Sequence, residues 1–169
     1  MGGSIQGIYI APAASVPMQS LEEVRAIAGV GLEGDRYALG IGFYTQNPTT
    51  PGAREITLIA QESIDAAATA AGVPFAASES RRNLLTRGVD LNSLFGQRFS
   101  IGSQVICEGV RECTPCVHLD ELTGKQLMPH LVRTGGMRAR IVTGGVIRIG
   151  DDITIIAEAE GPVHGRGEW

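Results

Sequence analysis

Apolar and polar residues alternate in short runs along this chain, and turns rich in glycine and proline separate them. Residues 4–10 alternate as a strand that stops at Ala11-Pro12, and residues 54–60 form a second, with Ile56, Leu58 and Ala60 on one face. Residues 98–101 and 104–110 predict a hairpin across Gly102-Ser103, and residues 138–143 and 146–149 predict another across Gly144-Gly145. A last strand is predicted over 153–157. The clearest helix is Gln61–Ala71, which is rich in alanine, has Glu62 and Asp65 in its early turns, and is stopped by Gly72 and Pro74. Shorter helical turns are predicted over 89–95, ended by Gly96, and within 119–132, where Asp120 or Thr123 supplies a cap and Pro129 interrupts. Ser20-Leu21-Glu22-Glu23 matches a helix capping box, yet residues 24–30 read equally well as a strand. Residues 12–19 and 38–53 are loops, and a loop as long as the second is usually functional or mobile. About seven strands against two or three helices, in connections suited to antiparallel pairing, predict a mainly β, barrel-like closed sheet with helical cover. The length suits one domain over 1–157 and a polar, Gly-rich tail over 158–169 that ends in Trp169.

Composition narrows the class. Hydrophobic residues make up 43% and charged residues 19%, as in an ordinary globular protein, and no apolar run reaches the ~20 residues that span a bilayer. The N-terminus has neither the basic region nor the apolar core of a secretory signal, so a cytoplasmic, membrane-free location is expected. Three cysteines are an odd number, and they are read as reduced. A net charge of −4 argues against a nucleic-acid binder. Lys and Arg total 14 and Lys125 is the only lysine, which leaves thirteen arginines. Arginine is the better bidentate partner of phosphate and carboxylate, so local clusters would suit a small anionic ligand. A GC-rich coding sequence would produce the same bias.

Reactive groups concentrate in residues 111–119, Arg-Glu-Cys-Thr-Pro-Cys-Val-His-Leu. Cys113 and Cys116 flank Thr114-Pro115, and His118 follows. Three chemistries fit this spacing. A dithiol couple would resemble the thioredoxin site, although that site needs a βαβ setting and this motif follows a predicted hairpin. Zinc would use Cys113, Cys116, His118 and His130, in a spacing unlike a standard knuckle. A single thiolate could carry persulfide sulfur or ligate molybdenum, with Arg111 or other guanidiniums lowering its pKa and holding an anion. Inert loop cysteines are the plain alternative. Cys107, in phase with Val105, reads as a buried small hydrophobe. The second polar concentration, Ser78 to Gly88, places Arg81, Arg82, Asn83 and Arg87 together, as either an anion site or a solvated surface run. Residues 29–37 carry glycines spaced unlike the dinucleotide fingerprint and read as a turn-rich connection held by an Asp35–Arg36 pair.

Taken together these segments resemble the MOSC domain, the module named for the C-terminal part of molybdenum cofactor sulfurases. The resemblance rests on Gly31-Leu32-Glu33-Gly34-Asp35-Arg36-Tyr37, on the stretch from Arg81 to Leu91, on Cys113-Thr-Pro-Cys116, on Arg133 to Arg140, and on Ile149-Gly150-Asp151, in that order. It implies a barrel-like fold and a role in binding the molybdenum cofactor (molybdopterin) or in relaying sulfur. By the same resemblance Cys116, more than Cys113, would be the sulfur carrier or molybdenum ligand. Arg81, Arg82 and Asn83, with Arg138 or Arg140, would suit the cofactor's phosphate. The large sulfurases carry a pyridoxal-phosphate cysteine desulfurase domain for which this chain has no room, and Lys125 is a poor Schiff-base candidate. A separate cysteine desulfurase or an electron-donor protein is therefore the expected partner, and reduction of N-hydroxylated compounds is one activity the resemblance implies. The reading from another class is a thiol–disulfide oxidoreductase using Cys113 and Cys116.

Overall fold

The computed structural model describes residues 3–47 and 49–156. Its strands in chain order are β1 (Gly3–Ile10), β2 (Gln19–Leu21), β3 (Glu23–Ile27), β4 (Gly31–Leu32), β5 (Ile56–Ala60), β6 (Leu84–Arg87), β7 (Arg98–Ile101), β8 (Val105–Glu112), β9 (Met137–Thr143), β10 (Gly145–Arg148) and β11 (Asp152–Ile155). Two α-helices, α1 (Gln61–Ala71) and α2 (Val117–Thr123), accompany them. Strands β11, β7, β8, β9, β5, β6 and β1 pair in that order, and β1 returns to β11 through Gly3↔Ile153 and Ser4↔Asp152, so seven strands close a barrel. Closure depends on β1 dividing its length. Its first residues pair with β11 and its last with β2, while a register shift between Ile5 and Gly7 re-aims the strand along β6. Strands β10, β3 and β4 make a separate small sheet.

Alternation produces two apolar layers. Ile56, Leu58 and Leu84 point into the barrel with Phe99, Ile101, Val105 and Cys107. Their neighbours Ile59 and Leu85 point outward, where Ile64 and Ala67 of α1 and Leu119 of α2 cover them with Phe75, Leu127 and Leu131. The parallel pair β5 with β6 spans α1, the crossover that parallel pairing requires. Gly72 ends α1 at φ 68°, where its N–H closes onto Ala68 and Thr69 carbonyls.

Several sequence expectations are corrected. Of the two readings left open after the capping-box match, the strand is the one formed: β2 takes in Ser20 and Leu21 of the match and pairs with β1, and β3 pairs with β10. Gly144-Gly145 makes no hairpin. β10 leaves β9 and pairs with β3, and a Cβ on Gly144 would lie 2.6 Å from the Ala26 carbonyl oxygen that crosses there. Ile101 pairs with Val105, so the β7–β8 loop has three residues, Gly102-Ser103-Gln104, with Gly102 at φ 65°. Helix α2 begins at Val117, ahead of the expected caps. Asp120 accepts instead from the N–H groups of Leu127 and Met128, and Thr123 bonds back to the Leu119 carbonyl. The tail over 158–169 lies outside the described residues.

Candidate functional site

Strand β8 delivers the Cys-Thr-Pro-Cys stretch to the rim of the barrel and α2 carries the chain away. Cys113 is fixed first: its N–H donates to Gly136 O at 2.8 Å, and Arg82 Nη2 donates to its carbonyl at 3.3 Å. Arg82 Nε also holds Gly135 O at 2.9 Å, and a Cβ at Gly135 would meet the Cys113 carbonyl at 2.6 Å. The Cys113 side chain exposes none of its surface. Cys116, at the start of α2, is half-buried, and its Sγ accepts a hydrogen bond from Tyr44 Oη at 3.0 Å. The cysteines are all free thiols, and burial pushes the Cys107 thiol up to about 12. The motif's two sulfurs therefore differ in access, and only that of Cys116 is reachable.

Cys116 opens onto a cavity of about 340 Å³ whose wall includes six arginines, Arg36, Arg54, Arg81, Arg82, Arg111 and Arg138, and, among the described residues, no Asp or Glu. Arg36 alone has a carboxylate partner among the described residues, the buried Asp35 at 3.0 Å. The other guanidiniums bond to neutral oxygens. Arg54 donates to Thr45 O at 2.9 Å, Arg111 to Thr49 Oγ1 at 3.0 Å, Arg138 to Ala53 O at 3.3 Å, and Arg81 to Val16 O. Burial pushes Arg81 down to about 10, and the Arg36 charge presses the same way. Arg54 is held below the ordinary arginine value by burial, with Arg138 and Arg111 adding to the effect against the opposing influence of Tyr37. These are the marks of crowded cations short of counter-charge.

Tyr44 and Phe43 come from the long loop and lie across the cavity. Burial raises Tyr44 to about 12, with the Cys116 hydrogen bond next in importance, so its hydroxyl remains a donor at neutral pH. Phe43 stacks on His118 with centroids 3.7 Å apart and rings 10° from parallel. His118 is engaged at both nitrogens: Nε2 lies 3.0 Å from Ser15 Oγ, and Nδ1 lies 3.6 Å from the Glu121 carboxylate.

The expected residues are partly brought together. Arg81, Arg82, Asn83, Arg138, Cys113 and Cys116 share the cavity wall, whereas Arg140 sits further along β9 and pairs with Glu108 at 3.2 Å. That pairing holds Glu108 low: burial would raise its pKa, but hydrogen bonds from Arg140 and Arg98 outweigh it. No group of His, Cys, Asp and Glu able to hold a metal ion assembles among the described residues, so the four-ligand zinc set is not formed. The charged members missed by the sequence reading are Arg54, which opens the run into β5, and Arg36, read only as half of an ion pair. Tyr44 and Phe43 carry no local signal beyond the unusual length of their loop.

The sequence matches the family model described as MOSC domain over residues 34–154. No curated protein matches it. Among solved structures, YuaD from Bacillus subtilis is similar at 22% identity, with 92% of this chain and 96% of that one covered and a TM-score of 0.78. YiiM from Geobacillus stearothermophilus is similar at 15% identity, with 94% and 77% covered and a TM-score of 0.68. YiiM from Escherichia coli is also 15% identical, with 94% and 71% covered and a TM-score of 0.66.

Proposed function

The chain belongs to the MOSC domain family, and from that premise we propose that it binds the molybdenum cofactor or carries sulfur, with Cys116 as the working thiol. The observation that carries this reading is the pairing of one reachable thiol with an arginine-lined cavity whose described residues include no carboxylate. The donor set fits the cofactor's chemistry. Guanidiniums are forked donors for phosphate, and a thiolate is a soft ligand for molybdenum. Arg81, Arg111 and Arg138 would hold the anionic groups, and Cys116 would reach the metal. When bound, the cofactor would supply a redox-active metal suited to oxygen-atom chemistry. The chain's own residues fix the Cys116 sulfur through Tyr44 and offset negative charge. A sulfur-donor or electron-donor protein would complete the system. Dithiol exchange between Cys113 and Cys116 would have to begin at Cys116, because Cys113 is fully buried and only Cys116 is open to an incoming partner.

The test uses protein from a cofactor-producing host, with metals measured by elemental analysis and added sulfur by intact mass. Wild type should carry molybdenum or an extra sulfur atom, and Cys116→Ala should carry neither. Equal loading of the two proteins would remove Cys116 from the proposal.

A further inference from the structure

The cavity is as informative in what it withholds as in what it provides. A thiol reaction that breaks a C–S or C–N bond usually needs a general acid or base to manage the leaving group. Among the described residues this wall has no carboxylate, and both nitrogens of its histidine already face Ser15 and Glu121 beneath the Phe43 ring. Tyr44, whose hydroxyl donates to the sulfur, keeps its proton at neutral pH. What remains is a nucleophilic sulfur, a hydrogen-bond donor on it, and several guanidiniums without carboxylate partners. Such a site suits a reaction in which one anion meets another and the leaving group departs as a stable anion that needs no proton.

We propose that Cys116 accepts sulfur directly from a small sulfane-sulfur oxyanion of the thiosulfate type. This rests on the sulfur-carrier side of the function proposed above and names its donor. The Cys116 thiolate attacks the outer, sulfane sulfur of thiosulfate. A new S–S bond forms to Sγ, the bond between sulfane and sulfonate sulfur breaks, and its electron pair leaves with sulfite. Thiolate and thiosulfate dianion become cysteine persulfide anion and sulfite dianion, so three negative charges stand on each side and no outside oxidant or reductant enters. The barrier specific to this reaction is repulsion between a thiolate and a dianion, which a surrounding cationic wall lowers. Sulfite is held by the same guanidiniums until it exchanges with solvent. A separate desulfurase protein is then not needed to load the thiol.

The experiment uses the full chain, reduced, desalted and incubated with sodium thiosulfate. Intact mass should rise by one sulfur atom while sulfite appears in equal amount. Peptide mapping should place the sulfur on Cys116, and Cys116→Ala should gain none. Arg111→Gln should slow the thiosulfate reaction about tenfold more than it slows alkylation by neutral iodoacetamide, the separation expected of an electrostatic role. An unmodified protein whose Cys116 is nevertheless alkylated by iodoacetamide would overturn the inference. So would sulfur found on Cys107 or Cys113. Loading of Cys116 by a cysteine desulfurase but not by thiosulfate would overturn this donor alone and leave the proposed function standing. A Cys116 inert to iodoacetamide would remove both.

Discussion

At Asn83 the side-chain oxygen accepts from both the N–H and the hydroxyl of Thr57, each at 3.1 Å, while the amide nitrogen donates to Tyr9 O at 3.1 Å. The residue is almost wholly buried and, besides lining the cavity, ties β1 to the start of β5. Removing it leaves part-buried polar groups on both strands without this partner, and polar groups shut off from water cost about 1–3 kcal/mol when left unpaired. Asn83→Ala is therefore expected to lower unfolding stability by about 2–3 kcal/mol, read as a lower urea midpoint with an unchanged slope. A midpoint within error of wild type would mean that Asn83 does not tie the two strands. The neighbouring Arg81 illustrates the opposite case. It stands at φ 64°, a conformation unfavourable for a non-glycine residue, and its charge is crowded by Arg36. A half-buried cation beside another cation has little stabilising logic of its own and suits an anion that arrives later.

Among the elements, the segment 41–47 connects the fold to the chemistry. Tyr44 bonds to Cys116, Phe43 stacks on His118, and Arg54 holds Thr45 O from below. Each contact occupies a group that the cavity would otherwise present to a ligand, so the segment acts as a strap over the thiol. One net hydrogen bond is worth about 0.5–1.5 kcal/mol, a factor of roughly two to ten in the population that exposes the sulfur. Tyr44→Phe should accordingly raise the iodoacetamide alkylation rate of Cys116 by about two- to tenfold. A rate equal to or below that of wild type would mean that Tyr44 activates or merely accompanies the thiol without covering it. The elements were unequally legible in the sequence for a related reason. Helix α1 carries its own stop at Gly72, and β1 and β5 carry their alternation within a few residues, so local chemistry was enough. The false hairpin at Gly144-Gly145 and the strand hidden behind a capping-box pattern were both decided by β3 pairing with β10, more than a hundred residues apart. Pairing of that range leaves no mark in a local window.

Across the whole molecule, barrel closure does what composition only hinted at. The net charge is −4, yet six of the thirteen arginines meet at one cavity. Arg81 and Arg82 were legible as a cluster because they are adjacent in the chain. Arg36, Arg54, Arg111 and Arg138 come from the connection after β4, the approach to β5, the end of β8 and the start of β9, and only the ring order of the strands brings them together. An acidic protein with a cationic interior should discriminate strongly by charge at that one place. Field lines focused by a low-dielectric cleft raise the local concentration of anions, and added salt screens the effect over a Debye length of ~10 Å at 0.1 M. Iodoacetate and iodoacetamide attack the same sulfur with nearly the same shape and differ in one charge. Ordinary surface thiolates react more slowly with the anionic reagent. Here the rate ratio of iodoacetate to iodoacetamide at Cys116 should exceed that of a free cysteine peptide by about tenfold or more at low salt. The ratio should collapse toward the peptide value as salt approaches 1 M, where the screening length is only ~3 Å. Measuring both reagents on one protein sample cancels differences in thiolate fraction and in strap opening, so the ratio isolates the field at the sulfur. A ratio at or below that of the peptide, flat in salt, would mean that the guanidiniums are neutralised within the protein and that the cavity is not built for an anion.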